Sequence, residues 1–207
     1  MQTVLVLAPH TDDGEFGCGG TVAKLVRSGS RVIYVAFSAA EQSVLPHYPR
    51  DILRKEVVLA TTQLGIKHID CLVLDFEVRR FPERRQDILD MMINLNRQYQ
   101  PDIVFLPTPN DTHQDHQVIA QEGFRAFKKI TMLGYEIPWN NLDFRTSCFV
   151  KLEEEDFNRK IESLNKYESQ KHRSYASFEY IRAQAIMRGT QIGVKYAEAF
   201  EAIRWIF

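Results

Sequence analysis

A Rossmann-like three-layer α/β fold with a mainly parallel sheet is what this chain predicts, on three observations. Short apolar runs at residues 4–8, 32–37, 69–74 and 103–106 alternate with segments of helical periodicity. The first run passes through a glycine-rich turn and a helix into a second, β-branched run. That is a βαβ unit, whose crossover is right-handed and whose strands are parallel. Two polar clusters rich in His and Asp follow directly after apolar runs, at the carboxyl ends of strands where open α/β sheets bind ligands.

The opening run V-L-V-L-A is continuously apolar, as a strand buried on both faces is. Gly17, Gly19 and Gly20 read as a compact turn, with Thr21 capping a helix V-A-K-L-V-R-S-G that Gly29 stops. Residues 32–37 give the next strand. Residues 38–49, polar with two prolines and His47, give a loop over the strand ends, where loops contact substrate. A helix is expected over about 50–63, closed by Gly65, then a strand over 69–74. Residues 87–99 carry Ile88, Leu89, Met92, Ile93 and Leu95 at helical spacing. Pro101-Asp102 lead into a strand at 103–106 stopped by Pro107, and a helical pattern returns over 117–129. The aromatic-rich stretch 135–144 reads as a pocket wall.

The 207 residues have the length of one domain, 1–207. Hydrophobic residues at 44% and charged residues at 26% fit a soluble globular protein, and a net charge of -1 offers no footprint for nucleic acid. The amino terminus enters a strand without a basic region or long apolar stretch. No signal peptide or membrane span is therefore expected, and the cytoplasm is the expected compartment. Cys18, Cys71 and Cys148 are too few and too scattered for a disulfide framework. A homo-oligomer is permitted but not specified.

The segment A-P-H-T-D-D-G-E-F-G-C-G-G-T, residues 8–21, sets His10, Asp12, Asp13 and Glu15 within six positions. After the fourth strand comes P-T-P-N-D-T-H-Q-D-H, in which His113 and His116 share one face of a helical turn. Catalytic zinc takes three ligands from His and Asp or Glu and keeps a position for water. His10, one of Asp12 or Asp13, and one of His113 or His116 supply such a set; Fe(II) suits the same donors. The spare carboxylate can take a proton from water whose pKa the metal lowers from about 15.7 to roughly 7. The spare histidine, held by Asp115, can serve an oxyanion or a leaving amine. These are the parts of a metal-dependent amide hydrolase. The rival dinucleotide reading of the glycine turn is opposed by three carboxylates beside it.

Both clusters resemble motifs of the LmbE-like or PIG-L-like zinc-dependent de-N-acetylases. Residues 9–21 follow P-H-P-D-D-x-E-x-G-x-G-G-T with Thr11 at the second proline, and His113-Gln114-Asp115-His116 follows H-x-D-H. The segment K-I-E-S-L-N-K-Y-E-S-Q at 160–170 and Y-A-E-A-F at 196–200 extend the likeness. The resemblance implies His10, Asp13 and His116 as zinc ligands, Asp12 as general base, and His113, oriented by Asp115, at the leaving amine. It further implies substrate contacts from Tyr196 and from an arginine before L-G-I, taken as Arg54 with Arg50 as the alternative. V-R-R-F at 78–81 and G-Y-E-x-P-W-N at 134–140 resemble a subset that accompanies surface-polysaccharide assembly. They imply an acetylamino-sugar substrate, free or carried on a nucleotide or lipid, with Arg80 or Arg79 at a phosphate and Trp139 or Tyr135 on a sugar or base. The alternative is a metal-containing sugar-nucleotide-binding protein without catalysis.

Overall fold

In the computed structural model, which describes residues 1–206, the elements run β1 (Thr3–Ala8), α1 (Asp13–Arg27), β2 (Arg31–Ala36), α2 (Ile52–Gln63), β3 (Cys71–Val73), α3 (Arg85–Tyr99), β4 (Ile103–Pro107), α4 (Gln114–Ala126), β5 (Thr131–Tyr135), β6 (Cys148–Leu152), α5 (Glu154–Leu164), α6 (Phe178–Gln191) and β7 (Tyr196–Arg204). They build one seven-stranded sheet in the order β3-β2-β1-β4-β5-β7-β6. The strands β3, β2, β1, β4 and β5 are parallel, and β7 is antiparallel to both its neighbours. No helix of the described residues is long and apolar enough to cross a membrane.

The alternation of β-strand side chains accounts for the three layers. On β1, Val4, Val6 and Ala8 join one buried cluster with Val22, Leu53, Val57 and Phe157 of α1, α2 and α5. Leu5 and Leu7 join a second cluster on the other face, with Ile88, Met92 and Ile119 of α3 and α4. Because both faces are covered, the strand reads in sequence as an unbroken apolar run.

Helix α1 departs from expectation. It begins at Asp13, so the glycines lie inside it, and it breaks at Cys18, whose φ of -146° and ψ of 18° are not helical. A break strands a carbonyl on one side and amides on the other. Lys160 Nζ donates to the freed Phe16 carbonyl at 2.6 Å and to Glu198 Oε1 at 2.6 Å. The Glu198 carboxylate accepts from Gly20 N–H at 3.0 Å and Thr21 N–H at 2.7 Å. The cap of the second half is thus Glu198 on β7. The hydroxyl of Thr21, expected to cap, has no partner.

The glycines serve close packing. A Cβ on Gly17 would lie 2.3 Å from Cδ2 of Tyr135, and one on Gly14 would lie 2.5 Å from the Tyr34 ring. Gly17→Ala is therefore expected to destabilise by about 1–3 kcal/mol through overpacking, although alanine is the better helix former. Thermal unfolding should show a drop of roughly 2–10 °C, and an unchanged or raised midpoint would contradict this account.

Two smaller differences arise from local turns. Residues 68–70 form a 3₁₀ turn, which shortens β3, and α4 starts at Gln114 because His113 caps it.

Candidate metal centre and active site

Strands β1 and β4 are neighbours, so the segments leaving their carboxyl ends meet. The first delivers His10, Asp12 and Asp13, and the second delivers Asp111, His113 and His116. His10 Nδ1 lies 3.1 Å from Asp13 Oδ2, His116 Nε2 lies 3.2 Å from the same oxygen, and the two ring nitrogens are 3.4 Å apart. Donors on a tetrahedral ion with bonds of about 2.0–2.1 Å stand roughly 3.3 Å apart, so this triangle fits such an ion. A wider group, His10, His113 and His116, brings its donor atoms within 4.8 Å of one another.

Each histidine of the tighter triangle is fixed from behind. His116 Nδ1 is 2.7 Å from Asp111 Oδ2, and Asp111 Oδ1 accepts the His113 backbone N–H at 2.8 Å. His10 Nε2 is 3.0 Å from Asp115 Oδ2, which also accepts the Arg79 backbone N–H at 2.6 Å. This corrects one expectation: the Asp115 carboxylate orients His10, not His113. Its backbone N–H, 3.1 Å from His113 Nδ1, is what holds His113. With Nδ1 accepting, the neutral His113 ring carries its proton on Nε2. Asp111 was not singled out from the sequence, although it stands two residues before His113 in the same cluster.

The electrostatics separate the neighbouring carboxylates. Burial and the charge of Asp13 push Asp12 up to about 6, and its side chain makes no helix-capping bond. Asp13 is held well below the carboxylate range: burial acts upward but is outweighed by His116 and His10. His116 is raised to about 10, since Asp13 and Asp111 outweigh the downward pull of burial. Burial, together with His10 and His116, lowers His113 to about 4, which leaves it neutral at pH 7. Glu15 lies beneath the site, wholly buried on the hydroxyls of Tyr34 and Tyr167. Burial raises it to about 8, and both tyrosines also bond the Thr11 carbonyl, fixing the backbone between His10 and Asp12.

A cavity of about 270 Å³ opens over these groups, lined among others by Asp12, His113, Leu53, Arg79, Trp139, Gln170, Arg173 and Tyr175. The expected substrate contacts Arg54, its alternative Arg50, Arg80 and Tyr196 do not line it. On α2 the residue facing the cavity is Leu53; Arg54, about 100° further round the helix, pairs with Glu41 and Asp75. Arg50 donates to the Glu41 carbonyl. Arg80 pairs with Glu83 on the surface. Tyr196 is buried, its ring stacked on Phe157 at 4.3 Å between centroids. In the 134–140 segment Trp139 does line the cavity, stacked on Tyr175 at 3.9 Å, whereas Tyr135 is buried on the Leu7 carbonyl. Gln170, Arg173 and Tyr175 lie in the turns after α5, where no periodic pattern marks them.

Fold and site define an α/β protein with a candidate metal centre at the carboxyl ends of adjacent parallel strands. The family described as GlcNAc-PI de-N-acetylase, PIG-L, matches residues 5–127, and the chain belongs to this family of deacetylases. The chain is 27% identical over 172 residues to an uncharacterized deacetylase, YaiS, of Escherichia coli, covering 80% of this chain and 90% of that protein. It is also 27% identical over 139 residues to the diacetylchitobiose deacetylase of Thermococcus kodakarensis, covering 65% of this chain and about half, 51%, of the relative. The solved structure of the conserved protein TT1542 from Thermus thermophilus superposes with a TM-score of 0.81 at 26% identity, covering 100% of this chain and 98% of that one.

Proposed function

We propose that this deacetylase hydrolyses the acetamide of an N-acetylated amino sugar with one divalent metal, zinc or Fe(II), held by His10 Nδ1, Asp13 Oδ2 and His116 Nε2. The observation that carries the reading is the donor triangle of 3.1–3.4 Å with the Asp12 carboxylate, which caps no helix amide, beside it. Among the possible third ligands, Asp13 is favoured over His113 because one of its oxygens lies 3.1 and 3.2 Å from the two histidines and because His113 Nδ1 is committed to Asp115 N–H. The V-R-R-F and G-Y-E-x-P-W-N segments support a sugar of polysaccharide or glycoconjugate synthesis.

The ion supplies Lewis acidity, acidifying water and drawing charge from the amide carbonyl. Asp12 takes a proton from the attacking water as the new C–O bond forms. His113 Nε2–H donates to the oxygen that gains the carbonyl electron pair, a task for a neutral ring. The C–N bond then breaks as Asp12 returns the proton to nitrogen, releasing acetate and a free amine.

Acetate release from a panel of N-acetylated sugars, with metal stripped and restored, tests the reading; no metal-dependent release from any of them would overturn it. The same assay run from pH 4.5 to 9 should give a single ascending limb. Asp12 must be ionised, so kcat/KM should fall about tenfold per unit on the acid side of the Asp12 titration and level off above it. His113 is already neutral in that range and adds no descending limb. A bell with a falling arm near pH 7–8 would instead make His113 an imidazolium acid.

A further inference from the structure

We infer that Arg79 and Arg173 form an anion-binding element in the cavity that takes a phosphate ester carried on the sugar, a reading that rests on the deacetylase proposal. Several guanidiniums outside the cavity are neutralised: Arg54 by Glu41 and Asp75, Arg80 by Glu83, Arg85 by Glu122, and Arg188 by Glu136. Among the described residues, Arg79 and Arg173 have no carboxylate partner within salt-bridge distance, and both line the cavity. With a divalent ion offsetting Asp12 and Asp13, these two guanidiniums leave the cavity net positive.

Both are held in place before any ligand arrives. Arg79 has φ of +68°, a left-handed conformation that a non-glycine residue adopts at a cost. The conformation is sustained by its N–H bond to Asp115, the carboxylate that also orients His10, and its Nη2 reaches Ser43 Oγ at 3.3 Å. The Nε of Arg173 donates to Gln170 Oε1 at 2.9 Å, and its guanidinium carbon sits 5.8 Å from the centre of the Tyr175 ring. Gln170 in turn donates to Ser169 Oγ, and Ser169 is tied by its N–H and hydroxyl to the buried carboxylate of Glu56 on α2. Arg173 is thus tethered through Nε, at a point of the cavity wall beside Tyr175. Two guanidiniums, one tethered through Nη2 and the other through Nε, suit the several oxygens of a phosphate better than the hydroxyls of a neutral sugar.

The test uses products, so that no turnover intervenes. Glucosamine 1-phosphate and glucosamine are titrated calorimetrically into the metal-loaded protein, with UDP-glucosamine as a third ligand. The phosphate ester should bind at least about 30-fold more tightly than the neutral sugar, and more weakly as salt is raised. Arg79→Gln and Arg173→Gln should each cut that ratio about tenfold, while Arg79→Lys and Arg173→Lys should restore part of it. UDP-glucosamine binding as tightly as the monoester would identify a nucleotide-linked source, and the monoester alone binding would identify a simple sugar phosphate; either supports the inference. Equal affinity for the two sugars, or a preference that survives both glutamine variants, overturns it. Acetate release from neutral sugars without such a preference would sink the anion element and leave the deacetylase proposal standing. Arginine-dependent phosphate binding without any acetate release would do the reverse.

Discussion

Asp12→Ala is expected to lower kcat by about 10²–10⁴-fold while the protein keeps its metal and its fold. The physical basis is that Asp12 is the one carboxylate of the site that no other side chain engages. Asp13 is engaged by both histidines, Asp111 and Asp115 each bond an imidazole, and Glu15 is bonded by two tyrosines, but Asp12 is tied to no imidazole or hydroxyl of the site. Burial and the charge of Asp13 lift its proton affinity to about 6, close to the operating pH, as a general base requires. Removing it also relieves a like-charge contact, so the melting temperature should hold or rise. Single-turnover acetate release, metal content and thermal unfolding measured on one preparation check all three expectations. Activity within tenfold of the parent would remove Asp12 from the mechanism.

The second large effect concerns the third ligand. Asp13→Ala should abolish stoichiometric metal binding, with affinity falling by well over 100-fold, since loss of even an outer partner costs about 10–100-fold. His113→Ala should retain the metal and lose about 10²–10³-fold in kcat, the scale of a lost oxyanion donor. Metal analysis of the two dialysed variants separates the ligand sets. The opposite pattern, metal lost from His113→Ala and kept by Asp13→Ala, would establish a three-histidine centre. The geometry argues against it, since a move of His113 onto the ion would have to respect its bond to the Asp115 amide.

The legible parts of the sequence were those with a local signal. Residues 4–8 and 103–106 read as buried strands because both faces are covered, and the polar clusters that follow them had to meet once β1 and β4 were adjacent. The start of α1 was misread because glycines ordinarily break helices. Here they sit inside one, pressed against Tyr34 and Tyr135, and the tyrosines lie 20 and 118 positions away in the chain. The orientation of Asp115 was hidden for a related reason, because which imidazole a carboxylate reaches depends on side-chain direction across two strands. Arg54 and Leu53 differ by one position on α2, and only the packed helix decides which of them faces the cavity. Gln170, Arg173 and Tyr175 sit in irregular turns, whose placement depends on a bond from Ser169 to Glu56 across 113 residues.

The splice in α1 bears on the order in which the protein acquires its chemistry during synthesis. The residues of the first polar cluster leave the ribosome ahead of the two groups that seal the broken helix carrying them, Lys160 and Glu198. The latter arrives only when β7 slots between β5 and β6. Nascent chains that stop short of residue 198 have the metal-site histidines and aspartates without the cap that closes the break. The centre is therefore a late product of a long-range closure. A chain that ends before residue 198 carries these groups on a helix whose second half lacks its Glu198 cap.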